Sequence, residues 1–183
     1  MFATTHINPS AGTALGLSSG VALNNQALQL EAAGDLEGAE RLHLQAIEVK
    51  EASLGTDHVT TALSYNGLGE LYLTMQRLDK AEEYLDKALR VREHSGPKSD
   101  LAVTRDNLAK LYEMKGDVQA AREMRRRGKA DNNIACGNYN CPKLSNSTSS
   151  LSQCAGCKAV FYCSRPCQVA DWKRHKNYCR KAA

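Results

Sequence analysis

Seven cysteines and one histidine between residues 136 and 179 are the side chains of this sequence with the clearest capacity for chemistry. Every cysteine of the chain belongs to this set, which runs Cys136-x4-Cys141-x12-Cys154-x2-Cys157-x5-Cys163-x3-Cys167-x7-His175-x3-Cys179. Zinc prefers four tetrahedral donors, and two donors a few residues apart can approach one ion from a single turn of backbone. Eight donors in four close pairs therefore predict two Zn²⁺ ions per chain.

Disulfides are the competing explanation for so many cysteines. They form in oxidising compartments and normally need an even number of thiols, whereas this chain has seven. Residues 1–6 lack the basic start and apolar core of a secretory signal, and no later stretch is apolar for the length of a membrane crossing. We therefore expect an intracellular protein of the nucleus or the cytoplasm, with no membrane partner.

Three short stretches of the cysteine-rich segment carry a family pattern: Cys154-Ala155-Gly156-Cys157, Phe161-Tyr162-Cys163-Ser164 and residues 167–176. Together they resemble the MYND-type zinc finger over residues 136–179. The resemblance implies an interleaved arrangement, in which the first and third donor pairs share one ion and the second and fourth pairs share the other. The first site would then comprise Cys136, Cys141, Cys163 and Cys167, and the second Cys154, Cys157, His175 and Cys179.

Residues 164–179 are predicted to form a helix, because Ser164 can cap its amino terminus, Pro166 suits the first turn and good helix formers follow. His175 and Cys179 would then lie one turn apart on one face and could bind one ion together. The C-x4-C opening pair is wider than the C-x2-C that is usual in the family. A segment this small cannot fold on its apolar surface alone, so we expect it to be unfolded without zinc.

Residues 20–130 repeat a pattern of small residues and turn signals at a spacing near forty. Small residues let two helices pack closely, so each unit is predicted as helix, tight turn, helix. The matching small residues are Ala27, Gly69 and Ala109, then Ala39, Ala81 and Ala121, then Ala46, Ala88 and Gly128. The turn signals are Gly34-Asp35, Gln76-Arg77 and Gly116-Asp117.

The period of these units, with the runs Asn107-Leu108-Ala109-Lys110-Leu111-Tyr112 and Leu54-Gly55-Thr56-Asp57-His58, resembles tetratricopeptide repeats of the kinesin-light-chain type. The resemblance implies a curved stack whose first helices line an inner surface. Asparagines of the first helix hold the backbone of an extended peptide in such repeats, and the matching positions here are Asn24, Asn25, Asn66 and Asn107. These asparagines could equally be polar helix positions that only face solvent.

The patterns together predict a mainly α-helical protein in three parts. Residues 1–19, rich in Ala, Gly, Ser and Thr, are expected to be a disordered tail. Residues 20–130 are expected to form a three-repeat, tetratricopeptide-like α-solenoid. Residues 131–183 are expected to form a small binuclear cross-brace zinc finger with a C-terminal helix.

The net charge of +4 is concentrated in residues 131–183, where eight basic and two acidic side chains give +6. Seven thiolates and two Zn²⁺ ions lower that value to about +3. Cations gather at helix ends to offset the dipole, which accounts for Arg125-Arg126-Arg127 and for the later group Lys173, Arg174, Lys176, Arg180 and Lys181. Nucleic-acid binding is therefore disfavoured, and a nucleic-acid-linked transcriptional regulator or co-regulator remains the alternative hypothesis.

An enzyme is disfavoured as well. MYND fingers occur in lysine methyltransferases, but no unassigned segment here matches their catalytic domain, and the cysteines are committed to closed structural sites. We expect an adaptor that binds proteins and has no small-molecule substrate. The MYND resemblance implies docking of short proline-containing, leucine-bearing peptides against Gln168 and Trp172, which lie four apart on one helix face.

Overall fold

The computed structural model describes residues 9–138, 140–143 and 145–179. Residues 9–130 form helices α1 Pro9–Ala33, α2 Leu36–Leu54, α3 Val59–Thr74, α4 Leu78–His94, α5 Lys98–Lys115 and α6 Val118–Ala130. They pack as three hairpins, α1 with α2, α3 with α4 and α5 with α6, and α2–α3 and α4–α5 contacts stack the hairpins. The predicted three-repeat α-solenoid is therefore confirmed. Within the described ranges, no helix has the length and apolar character needed to span a membrane.

Each hairpin turns at the predicted position. Gly34 and Gly116 have φ of 86° and Gln76 has φ of 58°, the left-handed conformation that commonly ends a helix. Asp35 and Asp117 then cap the next helix, because each carboxylate accepts a hydrogen bond from the backbone N–H three residues further on.

The repeated small residues lie at the contacts between helices. All seven alanines of the pattern are fully buried: Ala27, Ala39, Ala46, Ala81, Ala88, Ala109 and Ala121. A Cβ atom on Gly69 would lie 2.6 Å from Cγ of Leu85, so α3 and α4 approach closely only because that position has no side chain. A Cβ atom on Gly128 would lie 2.6 Å from the carbonyl oxygen of Asn133, where the chain leaves the last repeat.

Helix α1 differs from the expected disordered tail, because it begins at Pro9 and so includes residues 9–19. Its small residues form a packing surface. A Cβ atom on Gly16 would lie 2.5 Å from Cβ of Ser53, and one on Gly20 would lie 2.8 Å from Cγ of Lys50. Glycine therefore lets α1 lie closely on α2 along this stretch. The rest of the predicted tail, residues 1–8, lies outside the described residues, as do Arg180 and Lys181 of the basic group.

The chain after α6 forms a small cysteine-rich unit, which we call the finger. Ile134 and Asn146 pair in an isolated antiparallel bridge, and a 3₁₀ turn covers Thr148–Ser150. Strand β1, Ser152–Gln153, then pairs antiparallel with β2, Phe161–Tyr162, and helix α7 follows as Arg165–His175. The C-terminal helix of the fold prediction is thereby confirmed.

Helix α7 begins as predicted and ends earlier. Ser164 caps it, with its hydroxyl oxygen 3.3 Å from the N–H of Cys167. The helix ends at His175 rather than near Cys179, because the last turn bends Cys179 towards Cys154, with 3.8 Å between their sulfur atoms. The N–H of Cys179 still donates to the carbonyl oxygen of His175 at 2.9 Å, so the two side chains remain one turn apart.

The stacking of the repeats can be tested at Gly69. We expect Gly69→Ala to lower the free energy of unfolding by about 1–3 kcal/mol, because the added methyl group overlaps the buried Leu85 side chain. Gly67→Ala is the comparison on the same helix: its Cβ would lie 3.3 Å from the His43 ring, a tight contact but a much smaller overlap than at Gly69, and alanine favours a helix by about 1 kcal/mol over glycine. Urea denaturation followed by circular dichroism measures both variants, and equal stabilities would contradict the packing described here.

Candidate metal centre

The eight predicted ligands come together in two groups. Cluster one comprises Cys136, Cys141, Cys163 and Cys167, and cluster two comprises Cys154, Cys157, His175 and Cys179. The potential ligand atoms of each group lie within 4.8 Å of one another. Each cluster takes two donors from each of two separate parts of the chain, and the parts alternate along the sequence. This is the interleaved arrangement that the MYND resemblance implies.

The distances between donor atoms fit tetrahedral zinc. The sulfur atoms of Cys141 and Cys163 are 3.6 Å apart, those of Cys163 and Cys167 are 3.5 Å apart, and those of Cys154 and Cys179 are 3.8 Å apart. Four sulfur atoms on zinc bonds of about 2.3 Å would be about 3.8 Å from one another. A disulfide would need about 2 Å, and all seven cysteines are free. The Cys₄ and Cys₃His donor sets therefore fit two zinc ions.

His175 presents its Nε2 atom to cluster two. That nitrogen lies 3.4 Å from the sulfur of Cys157. The ring is fully buried and packs edge-on against Tyr162 and Trp172, with centroid distances of 6.3 and 6.0 Å. Two aromatic rings thus hold the imidazole in the orientation that a metal ligand needs.

Local hydrogen bonds favour the thiolate form at one position of cluster one. Asn138 donates to the sulfur of Cys167 at 3.5 Å, and together with Ser164 it lowers the pKa of that thiol to about 6. Burial instead raises the pKa of Cys136 well above its ordinary value. Zinc binding at this cluster must therefore displace at least one firmly held proton.

The wide opening pair reaches cluster one because Gly137 lies directly on β2. A Cβ atom at this position would collide with Cγ1 of Val160, and the Gly137 N–H donates to the carbonyl oxygen of Phe161 at 2.7 Å. The side-chain oxygen of Asn138 also accepts a hydrogen bond from the N–H of Asn140 at 3.2 Å. The C-x4-C spacing is thus compatible with a compact knuckle held against the strand.

A chain of buried charged groups links the finger to the last repeat. The Tyr162 hydroxyl donates to Asp171 at 2.8 Å, and Arg174 donates to the same carboxylate at 2.8 and 3.0 Å. Arg174 also donates to Glu113 of α5 at 2.9 Å. Asp171 and Glu113 are both buried. Helix α7, which carries the predicted zinc ligands Cys167 and His175, is therefore tied directly to the solenoid.

The series of buried charged groups continues inside the last repeat. Arg125 donates to Glu113 at 2.6 Å and to Asp106 at 2.7 Å, and Lys110 pairs with Asp106 at 2.9 Å. Although burial acts in the opposite direction, Lys110 and Arg125 hold the pKa of Asp106 well below its usual range. The expectation that Arg125 only offsets a helix dipole needs correction, because its side chain is buried between two carboxylates. Asp106 could have predicted this buried ion pair from the sequence, because it is a charged residue beside Asn107 on a helix that packs inside the stack.

Gln168 and Trp172 share one face of α7, as their spacing predicts. Both line a cavity of about 300 Å³ together with Arg165 and Val169. Trp172 is 47% exposed and Val169 is 60% exposed, which is unusual for large apolar side chains. Trp172 therefore both packs against His175 and leaves part of its ring exposed, whereas Val169 lies mainly on the surface.

The four predicted asparagines line two adjoining cavities of about 340 Å³ each on one side of the repeats. Asn25 is exposed, and Asn24 donates to the hydroxyl of Ser64 at 2.8 Å. Asn66 and Asn107 are buried rather than solvent-facing, and their side chains lie 3.4 Å apart in a hydrogen bond. The residues are therefore brought together on one surface, and part of their hydrogen-bonding capacity stabilises the stack.

Cobalt substitution tests the interleaved ligand sets. If Cys141 and Cys163 share a site, Cys141→Ser and Cys163→Ser should each weaken the cobalt–thiolate absorption of the Cys₄ site and leave the Cys₃His site intact. Cys154→Ser should do the reverse. A sequential arrangement would instead give Cys141→Ser and Cys154→Ser the same spectrum, and that result would contradict the clusters described here.

The buried ion pairs predict a second effect. Glu113→Gln removes the charge between Arg125 and Arg174, so we expect a loss of about 3 kcal/mol in the free energy of unfolding. Glu93→Gln, on the exposed side of α4, is the matched control and should be close to neutral. Chemical denaturation measures both variants. A Glu113→Gln protein as stable as the control would show that these buried ion pairs contribute little to the free energy of unfolding.

Two family models match the chain. The tetratricopeptide repeat model matches residues 18–94 and 72–128, which is more than half of the chain, and the MYND finger model matches residues 135–179. The MYND-type zinc finger protein samB of Emericella nidulans is 39% identical over 44 residues, which are 24% of this chain and 8% of that protein. SET domain-containing protein 14 of Caenorhabditis elegans is 42% identical over 40 residues, 22% of this chain and 9% of that protein. The chain thus spans less than a tenth of the length of either relative.

A solved structure, BtubC (BKLC) from P. vanneervenii, matches with a TM-score of 0.60 and 29% identity, over 66% of this chain and 50% of that one. The resemblances to kinesin-light-chain-type tetratricopeptide repeats and to a MYND-type finger, and the mainly α-helical fold class, are therefore confirmed. Both kinds of module are typically non-catalytic and serve protein–protein interaction. The chain belongs to the tetratricopeptide repeat family, and its residues 135–179 are a MYND finger.

Proposed function

We propose that this protein is a zinc-dependent adaptor for protein–protein interaction. Its finger docks a short proline-containing peptide, and its repeats offer a second peptide surface at Asn24, Asn25, Asn66 and Asn107. The observation that carries the proposal is the apolar face of α7, where Trp172 and Val169 remain exposed beside Gln168. The ligand sets named above hold the two zinc ions, and the metal stabilises the fold that presents this face.

The chemistry of the α7 face suits an extended peptide. Flat aromatic side chains bind proline-rich segments in several peptide-recognition domains, because a preformed extended helix loses little entropy on binding. Trp172 would supply such a surface. Arg165 donates to the side-chain oxygen of Gln168 at 2.7 Å, which leaves the amide N–H groups of Gln168 to donate to a peptide carbonyl. An aromatic ring and an oriented amide would thus contact one segment.

Protein binding is favoured over nucleic-acid binding by the positions of the charges. Arg174 and Arg125 form internal ion pairs, so neither guanidinium is free to bind phosphate. The exposed cations in and directly after α7 are Arg165, Lys173 and Lys176, which are too few for the steep electrostatic binding that a duplex requires. We also propose a non-catalytic, intracellular protein, since four protein donors at each zinc leave no position for a reactive water and the thiols need a reducing environment.

Trp172→Ala tests the proposal. The variant should lose binding to a proline-containing peptide selected against the intact chain, because the ring is the largest contact surface of the α7 face. Its zinc content should remain two ions per chain. Lys173→Ala, an exposed neighbour on the same helix, is the control and should bind the peptide as the parent does. Isothermal titration calorimetry and metal analysis provide the two measurements.

Two results would contradict the proposal. Loss of zinc from Trp172→Ala would assign the ring to folding rather than to binding. Salt-sensitive binding of random duplex DNA by the parent chain, without any peptide binding, would instead favour the nucleic-acid-linked alternative.

A further inference from the structure

The inner surface of the repeats continues without a break onto the finger. One cavity of about 340 Å³ lies between α1 and α3, and a second of about 340 Å³ lies between α3, α5 and the finger. The two cavities share Leu63, Asn66, Glu70 and Arg92, so they are parts of a single groove. We call this the joint groove and define it by Asn24 and Leu28 of α1, Leu63 and Asn66 of α3, Asn107 of α5 and Lys143 of the finger.

The finger wall of the joint groove is held in place by contacts outside it. Arg174 binds Glu113, as described above, and Asp131 binds Arg105 at 2.5 Å where the chain enters the finger. Ile134, which follows, is buried. These contacts fix where the finger lies on the repeats, and a site that is formed before binding loses less free energy to ordering.

The side chains of the joint groove indicate what occupies it. Val21, Leu28 and Leu63 are 41%, 56% and 48% exposed and line its α1–α3 end, so this end suits apolar side chains. At the same end the Asn25 side chain is exposed, so its amide can both donate to and accept from a peptide backbone. Exposed apolar side chains beside an exposed amide are the pattern of a site for an extended chain.

The order of the elements constrains the conformation of that chain. The groove crosses α1, α3, α5 and the finger in that order. A segment that contacts both ends must therefore be extended, because an extended chain covers the most distance per residue.

The finger end of the groove offers a free cation. Lys143 is exposed, and its side chain has no hydrogen bond or ion pair with another described residue. It lines the same cavity as Asn107 and can reach a carbonyl or carboxylate oxygen of a bound chain. The joint groove and the α7 face share no lining residue, so they are separate sites.

We propose that one extended peptide of a partner protein fills the joint groove and contacts both modules at once. Its apolar residues lie against Leu28 and Leu63, and its other end lies over Lys143. This deepens the proposed function and rests on the part of it that assigns peptide binding to the repeats. The finger then has two roles: it presents the α7 face to one segment and completes the groove for another.

Photocrosslinking on the full, zinc-loaded chain tests the joint groove. The probe is the tightest-binding peptide from a random ten-residue library. The photoreactive residue p-benzoylphenylalanine replaces Leu28, Lys143 or Val169 in three separate variants, all at exposed positions. We expect crosslinks from position 28 to one end of the peptide and from position 143 to the other end, with none from position 169, as mapped by mass spectrometry.

Affinity measurements provide a second test of the joint groove. Leu28→Asp and Lys143→Ala should each weaken binding of the same peptide about tenfold, since each removes a contact at one end. Lys173→Ala should leave the affinity unchanged. Zinc content and helical circular dichroism should match the parent in all three variants, because the replaced side chains are exposed.

The outcomes separate this inference from the proposed function. Crosslinks from position 28 without any from position 143, with Lys143→Ala binding normally, would show that the repeats bind a peptide alone and would overturn only the joint groove. Crosslinks from position 169 alone would identify a ligand of the α7 face, and the selection is then repeated against Trp172→Ala; a second selection that yields no peptide would overturn the joint groove. Failure to enrich any peptide would overturn both proposals.

Discussion

The Glu113 carboxylate connects the two modules of this protein. A buried carboxylate is strongly destabilising unless donors surround it, and here Arg125 of the last repeat and Arg174 of the finger both donate to it. Neither guanidinium belongs to the same local element as Glu113. The position of the finger on the solenoid therefore depends on a charge balance that both modules supply, and removal of either donor would leave the carboxylate poorly compensated.

The position of the finger also depends on metal binding. Arg174 directly precedes His175, whose Nε2 atom faces cluster two, so a zinc ion held there would restrain the residue beside the guanidinium. The finger in turn covers the end of the repeat stack, where Ile134 and Ala135 are buried. A solenoid needs a terminal unit that protects its last hairpin. The finger supplies part of that cover through these two buried side chains.

Several exposed apolar side chains lie on the two surfaces that we propose for partner binding. Trp172 and Val169 lie on α7, while Leu28 and Leu63 line the inner surface of the repeats. Rigid neighbours hold both surfaces: the aromatic contact with His175 supports the first, and stacked helices support the second. Two such surfaces would suit the proposed adaptor, because a preformed surface binds a partner with little ordering cost.

Local spacing and periodicity were enough to predict the eight ligands, the three hairpins and their turns, since a zinc knuckle, an αL turn such as Gly34 or a small residue such as Ala39 acts through its near neighbours. Other features depend on docking. Arg174 and Glu113 are 61 positions apart and meet only because the finger folds back onto α5. The early end of α7 follows from the position of Cys154, and the helical start of α1 follows from its contact with α2. Tertiary structure alone decided these, because long-range contacts leave no periodic signal in a sequence.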